Sequence, residues 1–462
     1  VRIETDKIGT LELPEHTLYG IHTARARQNF CLGSDLVNPA LLKAMILVKK
    51  AAALAHLELK ELDEQKARFI IQACDKLLEN NTYNKESFPL HPLQGGAGTS
   101  TNMNVNEVIA NTALSLAGYH CGEYSYIHPL DDVNKSQSTN DVYPTALRIA
   151  AIYKVRQLSR QLSLLQEALQ NREQDFEAVI KLGRTELMDA LPITLGQEFG
   201  CYAQAIARDR WRIYKVEERL RQVNLGGTAV GTGSNASKKY TYKVVERLRD
   251  LSGLGLAYAE YPMDLTQNND IFVEVSGLLK TCAVNLMKIS SDLRLMNSGP
   301  NGGLGEIRLE ELQAGSTIMP GKVNPVIPEM VTQVAMDVMA KDQAVSFAAA
   351  SGQLELNAFL PLIAHNILGS LDLLISAVQL FREHCILTLI PNEENCKKHL
   401  NNTSVLITAL VPFIGYDAAA LAVKECHGNS DEIKQYILEN ELLPKETLDT
   451  IFSISKASTY IG

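Results

Sequence analysis

The chain has 462 residues, 46% of them hydrophobic and 21% charged, with a formal net charge of −9. Length and apolar share support a sizeable core and about three domains of ordinary size, and the acidic balance gives no general attraction to nucleic acid. No run of about eighteen apolar residues marks a membrane span, and the start, Val1-Arg2-Ile3-Glu4-Thr5, carries no apolar leader segment, although it lacks an initiator Met. The eight cysteines are scattered, with no Cys-x-x-Cys and no His at zinc spacing. The expectation is a cytoplasmic protein with reduced, mostly buried thiols and neither metal nor cofactor.

Residues 1–40 read as irregular, because Pro14, Gly20, Gly33 and Pro39 interrupt any long period. Within them Tyr19 to Phe30 is too polar for a core strand. From the residues alone, Arg25 and Arg27 read as a solvated pair and His22 as a structural hydrogen-bonding residue. Leu41 to Leu59 and Glu64 to Leu78 are helical in pattern. Gln94-Gly95-Gly96-Ala97-Gly98-Thr99-Ser100-Thr101-Asn102-Met103-Asn104 follows. Its glycines permit a turn at which amides converge, and the hydroxyls and amides after it can start a helix, either as a carboxylate site or as an ordinary cap. His128-Pro129 and Asn134-Lys135-Ser136-Gln137-Ser138-Thr139-Asn140-Asp141 repeat that pattern before another apolar-periodic helix.

From about residue 142 the character changes. Val155, Leu158, Leu162, Leu165, Leu169, Phe176 and Val179 recur at three- and four-residue steps with one skip at Arg172, and Val275, Leu279, Cys282, Leu286, Ile289, Leu293 and Met296 do so without a skip. These are seams along long helices. Further helical runs cover Glu329 to Leu356 and Ile363 to Phe381. The expected fold is mainly α, a long-helix bundle whose apolar stripes are core; helices of this length favour assembly of several chains along the bundle. Between the helices lie Lys181 to Pro192 and Gly226 to Gly233. The second lacks the Gly-x-Gly-x-x-Gly, the following helix and the preceding strand of a dinucleotide loop. From about residue 396 short helices and turns, punctuated by Pro412 and Gly415, read as a small terminal domain. The expected division is 1–139, 140–395 and 396–462, without repeats.

Gly315-Ser316-Thr317-Ile318-Met319-Pro320-Gly321-Lys322-Val323-Asn324-Pro325 is the most informative stretch. Its glycines and prolines make it a loop, and its Ser, Thr, Lys and Asn suit holding an anion and moving a proton. It is not a phosphate loop: five residues separate Gly315 from Gly321-Lys322, and Val323 stands where Ser or Thr is required. Four such polar segments sit at the mouths of long helices. Helix ends brought to one level, from one chain or several, would form a pocket of hydroxyls, amides, helix N-termini and one lysine, suited to a small dianion.

The Gly315–Asn324 stretch resembles the Gly-Ser-Ser-x-Met-Pro-x-Lys-x-Asn signature of the aspartase/fumarase superfamily, with Thr317 in place of the second Ser. Tyr19 to Phe30 resembles its amino-terminal block, and the likeness runs in order from Arg2 to the tail. Gln94 to Ser100, Ser138-Thr139-Asn140-Asp141 and Pro325-Val326-Ile327-Pro328-Glu329 are similar to the aspartase branch. The resemblance implies the superfamily's three-domain fold, in which a central bundle forms the core of a homotetramer with active sites shared between subunits. It also implies reversible elimination of ammonia from L-aspartate to give fumarate through an aci-carboxylate. On matching positions, Ser316 is the base, and Thr99, Ser138, Thr139 and Thr317 hold the β-carboxylate. Lys322 and Asn324 hold the α-carboxylate, while Asn140 and Thr185 lie near the amino group.

Two positions depart from the superfamily. Glu186 follows Arg184-Thr185 where His or Gln is usual, and an ionised carboxylate there would repel the substrate. It is either protonated, turned toward a basic residue, or matched to an extra cation on an N-substituted aspartate. Asn301 replaces the usual Arg after Ser298-Gly299-Pro300, with no physical account from sequence. Fumarate hydration, or elimination from an N-substituted aspartate, is the alternative activity.

Overall fold

A computed structural model describes residues 1–80, 83–403 and 405–451; the last residues of the expected terminal domain, 452–462, lie outside the described residues. In chain order the elements are β1 (Arg2–Thr5), β2 (Thr10–Leu13), α1 (Ile21–Asn29), α2 (Pro39–Glu58), α3 (Glu64–Asn80), α4 (Thr99–Leu116) and α5 (Thr139–Asp175). There follow β3 (Ile180–Thr185), β4 (Met188–Thr194), α6 (Leu195–Leu220), β5 (Gln222–Val223), α7 (Lys238–Ser252), β6 (Ala257–Tyr258), α8 (Pro262–Gln267) and α9 (Asp270–Met296). The last set is β7 (Ile307–Arg308), α10 (Val326–Ala350), α11 (Leu360–Phe381), β8 (Ile390–Pro391), α12 (Glu393–Asn401), α13 (Val411–Ile414), α14 (Tyr416–Glu425), α15 (Ser430–Glu439) and α16 (Lys445–Ile451). The strands pair only two at a time, antiparallel except for β5 with β6. The fold is therefore mainly α, as the periodicity requires.

The seams are where the spacing puts them. Val155, Leu158, Leu162, Leu165 and Leu169 on α5 are buried, as are Val275, Leu279, Cys282, Leu286, Ile289, Leu293 and Met296 on α9. Each large aliphatic contributes about 2 kcal/mol by leaving water. Phe176 and Val179 are buried too, but they lie beyond the end of α5, in the turn leading to β3. The stretch from Leu360 to Ile386 matches a membrane span in length and hydropathy. Its buried residues, Leu360, Ile363, Ala364, Ile367, Leu368, Leu371, Leu374, Ala377, Val378 and Phe381, recur at three- and four-residue steps, so α11 has the one-sided stripe of a core helix.

The amino-terminal block differs from the irregular reading. Residues 2–13 form a hairpin, and most of the Tyr19–Phe30 segment is α1. This helix has no side-chain cap of its own. Its open amides are taken by two carboxylates: Glu4 accepts from the Ile21 N–H (2.7 Å), and Glu107 of α4 accepts from the backbone N–H of Gly20 (2.8 Å), His22 (2.9 Å) and Thr23 (3.2 Å) and from Thr23 Oγ1 (2.6 Å). A carboxylate at a helix N-terminus stabilises it, and here the one that takes most of these bonds, Glu107, comes from far along the chain. Arg25 is not solvated: Nε and Nη2 grip Asp6 at 2.8 and 2.9 Å. Burial lowers the basicity of His22, whose Nδ1 has no hydrogen-bond partner among the described residues.

Two compact units make up the chain. The first comprises 1–159, 211–281 and 336–375, and the second 160–210, 282–335 and 376–462. In the first, α2 packs on α3, α4 and α7, and α1 packs on α4. In the second, the β3–β4 hairpin packs against α12 and the 3-10 turn Val405–Leu410. Among its terminal helices, Leu410, Ala419, Ala422, Ile433, Ile437 and Leu448 form a small core.

Candidate functional site

Thr99, Ser138, Thr139 and Asn140 all belong to the first unit, at two helix starts. Before α4 the backbone of Gly96, Ala97 and Gly98 runs at φ of +88°, +55° and +94°, a conformation open to glycine and costly for residues with a Cβ. Gly98 has a second constraint, because a Cβ there would lie 2.3 Å from the Tyr143 ring. Gly98→Ala is therefore expected to destabilise the protein by about 2–4 kcal/mol from strain and overpacking, measured as a lower denaturation midpoint; an unchanged midpoint would show that Tyr143 yields freely. Thr99 opens α4, and its hydroxyl donates back to the Gly96 carbonyl at 2.7 Å. To serve a carboxylate, that proton must be turned outward.

The start of α5 is built by reciprocal capping. Ser138 Oγ accepts from the Asn140 N–H (3.2 Å), while the Ser138 N–H donates to Asp141 Oδ1 (3.0 Å). Both use acceptor or backbone groups, so the Ser138 hydroxyl proton stays available. Asp141 is fully buried, and its other oxygen accepts from the N–H groups of Gly226 and Thr228, both at 3.0 Å. Burial pushes this carboxyl up to about 6, against the pull of the three amides. The Gly226–Gly233 stretch thus supports the start of α5. Pro144 removes the N–H that would bond the Asn140 carbonyl, and Asn224 Nδ2 supplies the missing donor at 3.1 Å. Asn140 Nδ2 donates to the Ala229 carbonyl (2.7 Å), which leaves Oδ1 as an acceptor. Asn102 Nδ2 on α4 reaches Thr139 Oγ1 at 3.1 Å and ties the two helix starts together. Sequence reading did not pick out Asp141, Asn102 or Asn134 as supports; polar residues at helical spacing on a buried stretch such as α4 are the signal that was present.

Thr185, Glu186, Ser316, Thr317, Lys322 and Asn324 belong to the second unit. Thr185 ends β3, and Glu186-Leu187 form the two-residue turn to Met188. Both turn residues have positive φ, +55° and +66°, as a type I′ hairpin turn demands, but without the usual Asn or Gly. Beneath the turn, Arg184 and Lys181 pair with Glu306 at 2.8 and 2.7 Å. Glu186 is exposed and bonds to no other described residue.

The 315–325 stretch is a loop, as its composition requires, and α10 begins right after it. Its neck is closed by Gly315 N–H to the Lys322 carbonyl (2.8 Å) and by Asn324 Nδ2 to the Gly315 carbonyl (2.9 Å). A Cβ at Gly315 would lie 2.6 Å from that Lys322 oxygen, so only glycine closes the neck without displacement. Ser316 Oγ accepts from the N–H groups of Ile318 (3.2 Å) and Met319 (3.0 Å). The side chains of Thr317 and Lys322 are exposed, without a partner among the described residues. Beside the loop lies a cavity of about 760 Å³, lined in part by Asn301, Arg308, Lys322 and Asn324. Among the described residues no hydrogen bond joins the hairpin tip to the loop.

These parts match a known family. The family profile described as "Lyase" covers residues 9–340, and that described as "Fumarase C C-terminus" covers 406–456. The chain belongs to the aspartase/fumarase superfamily of lyases. It is 43% identical over 453 residues to the aspartate ammonia-lyase of a Bacillus species, across 98% of this chain and 96% of that one. It is 42% identical over 456 residues to the Escherichia coli (strain K12) aspartate ammonia-lyase, across 98% and 95%. Among solved structures, a Brucella melitensis "fumarate lyase:delta crystallin", bound to cobalt, superposes over the whole of both chains with a TM-score of 0.93 at 44% identity. The class II fumarase of Schistosoma mansoni gives a TM-score of 0.92 at 31%, again over the whole of both chains. The aspartase-branch lyase expected from the motifs and the family found by comparison agree.

Proposed function

We propose that this lyase eliminates ammonia from L-aspartate to give fumarate, reversibly. The observation that carries the reading is similarity along 98% of the chain to relatives that bear the name aspartate ammonia-lyase, joined to a loop in which two amides converge on Ser316 Oγ. The C–H bond beside the β-carboxylate breaks first, with Ser316, acting as its alkoxide, taking the proton to become the hydroxyl; the electron pair is held as an aci-carboxylate, then forms the double bond as the C–N bond breaks and its pair leaves on nitrogen as ammonia. Preorganised donors aimed at those oxygens lower the barrier most, each by about 3 kcal/mol. Thr99, Ser138, Thr139 and Thr317 hold the β-carboxylate, and Lys322 and Asn324 the α-carboxylate. Asn140, whose Oδ1 remains an acceptor, lies with Thr185 near the ammonium. Parallel incubations with L-aspartate, L-malate and N-substituted aspartates, read by fumarate absorbance, test this: growth with L-aspartate alone is expected, and growth only with malate or an N-substituted aspartate overturns it.

The residues of the two units are proposed to meet in a homotetramer with active sites shared between subunits. Exposed apolar side chains on long helices, among them Trp211 on α6 and Phe347 on α10 at 64% and 70%, support this; an active monomer in light scattering would refute it. A cytoplasmic location is proposed with it. Glu186, without a partner among the described residues, faces the α-carboxylate in this arrangement. Removing about 1 kcal/mol of repulsion by Glu186→Gln is expected to lower the KM for L-aspartate about fivefold, whereas an unchanged KM would show that Glu186 is protonated or points away.

A further inference from the structure

α2 is an apolar helix with two polar residues on its buried face. Lys49 and His56 lie two turns apart, with 0% and 1% exposure. Lys49 Nζ donates to Asn134 Oδ1 (2.8 Å) and Gln137 Oε1 (2.9 Å). His56 Nε2 lies 3.0 Å from the Lys135 carbonyl, and its Nδ1 lies 2.9 Å from Glu61. The segment leading to the Ser138 cap is thus fastened to α2 at successive points. Within it Ser136 holds a φ of +57°, a conformation that persists where the surroundings over-determine it.

The Lys49 amine bonds two neutral side-chain amides rather than a carboxylate. Burial pulls it down to about 7, opposed by the nearby Asp141 carboxylate. Protonated or neutral, it has the protons for both bonds. Asn134 and Gln137 turn their oxygens toward it, the only side an ammonium can use, while their nitrogens donate to backbone carbonyls: Asn134 Nδ2 to Gln137 (3.2 Å) and Gln137 Nε2 to Val133 (3.0 Å) and Lys135 (3.2 Å). Asn134 Oδ1 then also accepts from Asn102 Nδ2 (3.2 Å) and Asn106 Nδ2 (3.1 Å). With its nitrogen side set, Asn102 donates its remaining proton to Thr139 Oγ1 (3.1 Å). Thr139 accepts there, so its single hydroxyl proton must point elsewhere. A reversed Asn134 would reverse Asn102, and Thr139 would give its proton to the Asn102 oxygen instead.

We propose that Lys49 is a positioning residue: together with the Gln137 carbonyl on the other side of Asn134, it sets the direction of the hydrogen bonds running from α2 through Asn134 and Asn102, and so presents the Thr139 proton to the β-carboxylate of the substrate. This rests on the proposed placement of Thr139 at that carboxylate. Lys49 itself touches no substrate. Misdirecting one donor is expected to cost somewhat less than deleting it, which is about 10²–10³ in kcat at comparable sites.

The test is a double-mutant cycle with L-aspartate. Lys49→Met is expected to lower kcat about 30-fold while KM changes less than about threefold. In the Thr139→Val background, with no hydroxyl left to direct, the same change is expected to lower kcat less than about threefold. Equal loss in both backgrounds, or parental kcat in Lys49→Met, overturns the proposal. If Lys49→Met does not fold, Asn102→Ala removes the last link while the Lys49–Asn134 bond remains; it carries the same two expectations and the same refutations. Parental kcat in Thr139→Val alone overturns both this proposal and the placement of Thr139, whereas an impaired Thr139→Val beside a parental Lys49→Met overturns only the role of Lys49.

Discussion

Ser316→Ala is expected to lower kcat for L-aspartate by about 10²–10⁴ while leaving the fold intact. A serine hydroxyl is a weak base, and its usefulness depends on what stabilises the oxygen. Here Ile318 and Met319 direct two N–H groups at Oγ, at 3.2 and 3.0 Å, and the same loop brings the Lys322 side chain, which has no partner among the described residues. The neck of the loop is closed by Gly315, Lys322 and Asn324 whether or not the Ser316 hydroxyl is present. Removing the hydroxyl deletes one acceptor at a largely solvated site, worth about 1 kcal/mol at most. The denaturation midpoint should therefore stay near the parental value while turnover collapses. Parental kcat would remove Ser316 from the base role, and a rise in KM with kcat intact would reduce it to a loop-shaping residue.

Glu306→Gln is expected to cost about 3–5 kcal/mol of stability. Glu306 is fully buried, with Lys181 at 2.7 Å and Arg184 at 2.8 Å, and Lys181 is itself 2% exposed with a second partner, Glu198, at 2.8 Å. Neutralising Glu306 leaves two cations in the interior with one carboxylate between them. Breaking a buried pair in this way costs far more than an exposed pair is worth. The site should suffer as well, since Arg184 immediately precedes Thr185 and Lys181 anchors the same strand, beneath a turn whose two residues sit at positive φ. A lower denaturation midpoint together with reduced kcat is the expected result. A parental midpoint would show that Glu198 alone compensates both cations, and a lower midpoint with parental kcat would show that the hairpin tip does not depend on its base.

The helices and the loop were legible because their causes are local. Seven apolar positions at three- and four-residue steps on α9 can be buried together only on a helix, and all seven are buried. Gly315, Pro320, Gly321 and Pro325 exclude regular structure whatever surrounds them. The capping hydroxyls at Ser138 were legible for the same reason: a cap bonds amides a few residues away. The reading of Tyr19–Phe30 went differently, because α1 owes its start to Glu107, far away in sequence.

The sequence by itself therefore determined the mainly-α class, the helix seams, the signature loop and the family to which its motifs belong, all of which follow from short-range spacing. Tertiary structure decided what the polar residues do. Lys49 and Lys50 are neighbours of one type, yet Lys49 turns inward to two side-chain amides and Lys50 outward to Asp75. Asp141 became the support of the Gly226–Thr228 amides, and Arg25 the partner of Asp6 rather than of water. Glu186-Leu187 turned a hairpin without glycine because strand pairing and the Lys181–Glu306–Arg184 cluster hold its base. In each case the deciding partner lies on a segment that local spacing does not reach, and a buried donor or acceptor is stable only where the fold brings that partner to it.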